Sequence, residues 1–221
     1  MLSEDAGRIR RVDIGRSRRR GTARTIHHHD VTSKRMRSND TMANHASTWV
    51  FGYGSLIWKP GFPYVDRRFG RVRGWKRRFW QGSPDHRGTE ERPGRVVTLV
   101  REPAASTWGA AYLLSPETAE HVFDALDVRE AGGYERHGVA VLPDDGGVPI
   151  DATVYVATPQ NPHYLGPAPL EEMARHIARS HGPSGPNDEY LLELDDSLRG
   201  HGVVDGHVRA LARAVRAYGS A

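Results

Sequence analysis

Cysteine is absent from the 221 residues, which excludes disulfides, thiolate catalysis and cysteine-ligated zinc together. Its absence fits a cytoplasmic protein, although it does not require one. Long apolar runs are missing as well. No stretch approaches the roughly 18 to 20 apolar residues that cross a bilayer, and the first residues lack the apolar core of a secretory signal, so no membrane partner is expected. Internal repeats are missing too. An apolar fraction of 38% over this length still suffices for one good core, and a single domain is the simplest reading.

Positive charge is scarce where a nucleic-acid groove would need it. The chain has a net charge of +4, from 31 Lys or Arg against 27 Asp or Glu. Residues 1–47 alone hold eleven basic and five acidic side chains, which leaves a mildly acidic 20 against 22 for the remainder. The basic character therefore belongs to a leader, and no nucleic acid is expected on the folded part. Residues 1–47 are poor in aromatic and large apolar groups and lack any helical or strand period. They read as a disordered basic leader ahead of a folded domain over 48–221. His27, His28 and His29 are a weak metal signal in such a segment, and no metal is assigned. Arg16, Arg18, Arg19 and Arg20 suit weak phosphate binding or organelle targeting, although the acidic residues count against the latter.

The folded part opens on Trp49-Val50-Phe51-Gly52-Tyr53, which is apolar, aromatic and β-branched enough for a buried strand, and Gly54-Ser55 break the run. A strand that stops at glycine leaves bare amides. Without a Cβ at Gly54 a ligand can approach the backbone, and the amides of Gly54, Ser55 and Leu56 can converge on an anion. A tight turn after a core strand accounts for the same residues. After the Lys59-Pro60-Gly61 turn, strand-like segments around 67–73, 77–80, 95–101 and 107–114 stand between glycine or proline breaks and predict mostly antiparallel pairing. Gln81 to Gly88, which include Asp85, His86 and Arg87, form a polar loop that is either a plain surface turn or the wall of a binding site.

Ser115-Pro116-Glu117 predicts a helix start, with Ser115 as cap and Pro116 at the first helical position. Ala119, Val122, Phe123 and Leu126 then follow at helical spacing, and Gly132-Gly133 supply the stop. Glu130 stands four residues beyond Leu126, on the continuation of the apolar stripe, where patterning alone would not put a surface glutamate. Partial burial and the negative end of the helix would both raise its pKa and make it a candidate proton carrier. A glutamate fraying toward Arg129 or solvent fits the same position. Glu120, Asp124 and Asp127 read as solvated helix residues. Strands are predicted over 134–142 and 151–157, then a helix from Pro169 with Leu170, Met173, Ala174 and Ile177 inward. Two more helices align Leu191, Leu194 and Leu198, then Val208, Leu211 and Val215. Tyr164 and Tyr190 are candidate pocket hydroxyls, with core packing the alternative.

The ordered blocks WVFGYGSLIWKP, RRFWQGSPDHRG, PGRVVTLV, REAGGY, NPHYLGPAPL and GPSGPNDEYLLEL resemble the ChaC family of glutathione-specific γ-glutamylcyclotransferases, from Trp49 to the last helix. The leader lies outside the likeness. The resemblance implies an α+β fold, a small mostly antiparallel β-barrel with flanking helices. It implies glutathione as substrate, cleaved to 5-oxoproline and Cys-Gly, with Glu130 as the acid-base residue. The γ-glutamyl group is implied to bind at Gly52, Tyr53, Gly54, Ser55 and Leu56, with Asp85, His86, Arg87 and Tyr190 as further substrate-binding candidates. No cofactor is implied, and a monomer is expected.

Two positions depart from the family pattern: Ala131 stands where REKGGY has lysine, and Pro186 where GPSGRN has arginine. The loss of two positive charges bears on recognition of the distal glycine carboxylate. A cyclotransferase for other γ-glutamyl amines, and a nonenzymatic sensor or regulator of cation transport, are the competing functions.

Overall fold

The computed structural model describes residues 48–130 and 133–219. The leader over 1–47, with its histidine triplet and arginine cluster, and the Ala131-Gly132 pair lie outside the described residues.

The first strand, β1 (Trp49–Gly52), buries Val50 and Phe51 as its apolar composition predicts. The segments read as separate strands between 67 and 114 are two long ones, β2 (Asp66–Ser83) and β3 (Gly94–Leu113), paired antiparallel along most of their length. The breaks at Gly74 and Pro103 are irregularities inside this hairpin and do not end the strands, whereas Pro84 and Pro93 bound the turn between them. Arg73 pairs with Ser106 and Trp75 with Arg101, so residues 102–105 stand opposite Gly74 alone. Pro103 thereby escapes the ladder it could not donate to, and Gly74 takes φ +77°. The predicted loop starting at Gln81 also yields to the sheet, because Gln81, Gly82 and Ser83 pair with Val96, Arg95 and Gly94.

After helix α1 (Pro116–Arg129) come β4 (Glu135–Pro143) and β5 (Ile150–Val156), an antiparallel hairpin. The barrel closes in the order β1-β3-β2-β4-β5. Closure needs only the parallel match of Val50 to Thr153, while β4 meets β2 over Gly70 to Val72. This is the α+β barrel that the resemblance implied.

Helices α2 (Leu170–Arg179), α3 (Asn187–Gly200) and α4 (Gly206–Gly219) follow, with a two-residue-per-strand hairpin of β6 (His181–Gly182) and β7 (Gly185–Pro186) between the first two. Met173, Ala174, Ile177, Leu191, Leu194, Leu198, Val208, Leu211 and Val215 join Phe51, Val72, Phe79 and Leu99 in one core. At about 1.5–3 kcal/mol for each large apolar side chain buried, this joint core is what ties the helices to the barrel. Leu170 is the exception to the predicted stripe: at the first turn of α2 it is 37% exposed. Helix α1 packs elsewhere, with Ala119, Val122, Phe123 and Leu126 against Val50, Leu114 and Tyr155.

Ser115 caps α1 without a side-chain bond to the backbone. Its carbonyl accepts from the Thr118 and Ala119 amides, and its hydroxyl meets Thr118 Oγ1 at 3.0 Å. Asp205 gives α4 a genuine side-chain cap, accepting from the His207 and Val208 amides at 3.1 and 3.2 Å. Asp127 is exposed, as its solvated reading predicts, and it also has surface partners. Its carboxylate pairs with Arg136 and accepts the Tyr155 hydroxyl at 2.7 Å, and the Arg136 bond holds its pKa down. Among the described residues no helix is long and apolar enough to cross a membrane.

Candidate active site

The chain leaves β1 at Gly52 and bends through Tyr53 and Gly54 into a single 3-10 turn over Ser55–Ile57. Within the turn, Ile57 donates to the Gly54 carbonyl at 3.0 Å and Lys59 to that of Ser55 at 2.8 Å. The amides of Gly54, Ser55 and Leu56 find no acceptor among the described residues. They line a cavity of about 540 Å³, within the roughly 300–1,000 Å³ typical of small-molecule sites.

Two glycines are required here by space. A Cβ on Gly54 would lie 2.7 Å from Tyr190 Oη and 2.9 Å from Val97 Cγ2; one on Gly52 would lie 2.5 Å from Leu56 Cβ. The carbonyls of the bend are pinned from behind. Arg77 Nε donates to Tyr53 O at 2.8 Å, and Tyr112 Oη donates to Leu56 O at 2.6 Å. The Tyr53 hydroxyl crosses to the Tyr155 carbonyl at 2.7 Å, which ties the bend to β5.

Glu130 is the C-cap residue of α1, with φ −96° and ψ 15°, and its amide still donates to Leu126 O at 2.8 Å. The helical stripe therefore carries through to it. Its side chain, 21% exposed, faces the same cavity as the Gly54 to Leu56 amides. Burial pushes its pKa up, the neighbouring Arg129 pulls it back, and Asp85 adds to the rise. Arg129 Nε is 3.6 Å from Glu130 Oε1.

Three phenols surround the carboxylate. Tyr134 donates to Val97 O at 3.2 Å, and burial raises its pKa and that of Tyr53 well above the ordinary value. Burial also pushes Tyr190 up to about 12, so all three stay protonated at neutral pH. Tyr190 is wedged against Trp58 and Phe79, with ring centroids 5.6 and 6.0 Å away.

The far wall comes from the loop after β2 and the small hairpin. His86 Nδ1 lies 3.2 Å from Ser184 Oγ, and its Nε2 lies 3.7 Å from Asp85. Arg87 Nη1 donates to Pro186 O at 2.9 Å and to Glu189 Oε2 at 3.2 Å, with its guanidinium over the Tyr190 ring. Pro186 sits in β7, where its carbonyl anchors Arg87. Among the described residues no group of three or more His, Asp or Glu could hold a metal ion.

The family model described as "ChaC-like protein" matches residues 48–218. The chain belongs to the ChaC-like family. The rat protein named "Glutathione-specific gamma-glutamylcyclotransferase 1" is 50% identical over 172 residues, covering 76% of this chain and 78% of that one. A Saccharomyces cerevisiae protein named "Glutathione-specific gamma-glutamylcyclotransferase" is 35% identical over 229 residues, or 79% of this chain and 98% of its own. A crystal structure described as the γ-glutamyl cyclotransferase specific to glutathione from yeast superposes with a TM-score of 0.71 at 34% identity, covering 78% of this chain and 97% of that one.

In this ChaC-like chain, Gly52, Tyr53, Gly54, Ser55, Leu56, Asp85, His86, Arg87, Glu130 and Tyr190 all line the one cavity. Tyr164 does not; it bridges to Gln81 through the backbone. Sequence reasoning missed Arg77 and Tyr134, and it named Arg129 beside Glu130 without giving it a place in the site. Arg77 carried a legible signal, because alternation places Trp75, Arg77, Phe79 and Gln81 on one face. A charge there, 2% exposed, demands partners. Arg77 finds them in Tyr53 O, Trp108 O and Asp205 Oδ2. Arg129 and Tyr134 flank Glu130 in sequence, and nothing in their spacing marks them.

Proposed function

We propose that residues 48–221 are the catalytic domain of a γ-glutamylcyclotransferase that cleaves glutathione to 5-oxoproline and Cys-Gly, with residues 1–47 a leader outside it. Family membership and the glutathione-specific relatives support the substrate. The observation that carries the chemistry is the partly buried Glu130 carboxyl sharing a cavity with the unpartnered Gly54 to Leu56 amides.

In a γ-glutamyl amide the nucleophile is already attached to the electrophile. Glu130 takes a proton from the α-ammonium, and the freed amine attacks the γ-carbonyl to form the lactam carbon–nitrogen bond. The amide bond to cysteine then breaks as Glu130 returns its proton to the departing nitrogen, and the second proton of the attacking nitrogen passes to the released amine, leaving the lactam N–H. Effective molarities of well-oriented intramolecular attack reach about 10⁵ M or more, so the protein's main work is to hold the glutamyl chain curled. The Gly54 to Leu56 amides hold an anionic oxygen of that chain, with Tyr190 behind them and Asp85, His86 and Arg87 along the wall that meets the rest of the peptide. A base whose pKa burial has raised toward the working pH is suited to both proton transfers.

The test is to incubate the purified protein with glutathione and quantify 5-oxoproline and Cys-Gly, with γ-glutamyl dipeptides as competitors. Stoichiometric release of both products supports the reading. Intact glutathione beside cyclised γ-glutamyl dipeptides would keep the reaction and remove the substrate; no product from any of them would remove both.

A further inference from the structure

One cation reaches both halves of the cavity. Arg129 ends α1, and its Nη2 donates to Ser55 Oγ at 2.8 Å while its Nε faces Glu130 Oε1 at 3.6 Å. Arg129 is the last helical residue of α1 and Glu130 its C-cap, and both line the cavity. The arginine side chain is 34% exposed and that of Glu130 21%.

We propose that Arg129 is a positioning residue for the cyclisation, its guanidinium locking the Ser55 hydroxyl and the Glu130 carboxylate into one frame. The inference rests on Glu130 as the acid-base residue. Ser55 and Glu130 lie 75 positions apart on separate elements, and among the described residues Arg129 is the side chain that bonds to the first and pairs with the second. A fork of N–H donors suits this, because one planar group can serve two acceptors in fixed geometry.

The electrostatics agree. Around Glu130 stand Asp85 from the loop after β2, Tyr53 from the bend after β1, Tyr134 ahead of β4 and Tyr190 on α3. The phenols are neutral and Asp85 repels. Arg129 is the charge that opposes burial and favours the ionised, proton-accepting form.

The experiment titrates the Glu130 carboxyl by carbon-13 NMR in the substrate-free enzyme and measures kcat and KM across pH, for wild type, Arg129→Gln and Arg129→Lys. In Arg129→Gln the midpoint rises by about one pH unit, the low end of what an opposite charge at this distance supplies. Its kcat falls by about 10- to 100-fold with little change in KM, as misplacement of reacting groups predicts. Arg129→Lys keeps the charge without the fork, so its midpoint stays near wild type while kcat recovers only in part. An unmoved midpoint or an unmoved kcat in Arg129→Gln overturns the proposal, and Arg129→Lys decides the fork if the glutamine variant does not fold. Wild-type turnover in Glu130→Gln would instead remove the acid-base reading, leaving the titration to decide the Arg129–Glu130 contact alone.

Discussion

Replacing Gly54 by alanine puts a methyl carbon 2.7 Å from Tyr190 Oη and 2.9 Å from Val97 Cγ2, both closer than van der Waals contact. Neither neighbour can step aside freely. Tyr190 is buried between Trp58 and Phe79, and Val97 is fixed in β3. Forcing a methyl into a packed site costs about 1–3 kcal/mol. For a domain of this size that corresponds to a melting-point loss of roughly 2–12 °C. Activity falls further than stability, because the same methyl shifts the amides proposed to hold the substrate, and a displacement of order 1 Å costs about 10² in rate.

The decisive comparison is a double-mutant cycle. Tyr190→Phe removes the oxygen that the methyl meets first, so adding it to Gly54→Ala restores part of the melting temperature. The Val97 contact remains, so recovery is incomplete. Calorimetry and a 5-oxoproline assay on the four proteins give the coupling directly. If Gly54→Ala melts and turns over like wild type, or if the two substitutions are additive, close packing is not the reason for glycine at this position.

Glu130→Gln keeps the fold, with a melting temperature close to wild type, and loses about 10²- to 10⁴-fold in kcat, the usual worth of general acid-base assistance; retained turnover would contradict the assignment. His207 makes stability fall in mild acid. Its Nε2 accepts the Phe79 amide at 3.1 Å, and burial lowers its pKa from 6.5 to about 4. The neutral ring is the native form, so its contribution is complete above pH 6.5 and is lost as pH falls through about 4. At 1.36 kcal/mol per pKa unit the loss reaches about 3 kcal/mol, measured by urea unfolding from pH 7.5 to 4. His207→Gln should flatten that dependence, and an unchanged slope would assign it elsewhere. Arg77→Met removes the guanidinium from Asp205 Oδ2 and from the Tyr53 and Trp108 carbonyls, while Asp205 keeps its two amide donors. It should cost about 3–5 kcal/mol in chemical unfolding, since breaking a buried pair strands its partner; a loss under about 1 kcal/mol would mean water replaces the guanidinium.

Local patterns were legible where one element carries its own signal. The stripe of Ala119, Val122, Phe123 and Leu126 located α1 and, by one more turn, put Glu130 on the inward face, which is where it lies. The Gly54 break marked the bend for the same reason, since a missing Cβ is visible in sequence. Leu170 shows the limit: helical spacing assigns it inward, yet at the first turn of α2 it stays partly exposed. The long β2–β3 hairpin was misread as shorter pieces because Gly74 and Pro103 look like stops until the partner strand is known to absorb them as a bulge.

By itself the amino-acid sequence determined which residues have the right chemistry: a glycine bend with free amides, a glutamate on an apolar face, and a surplus of basic charge confined to residues 1–47. Their meeting depends on contacts far apart along the chain. Val50 must find Thr153 to close the barrel, Arg77 must reach Tyr53, Trp108 and Asp205, and Arg129 must cross to Ser55. Periodicity reports only which side of an element faces inward; which partner waits there is decided when the strands pair and the helices pack, so the site exists only in the folded molecule.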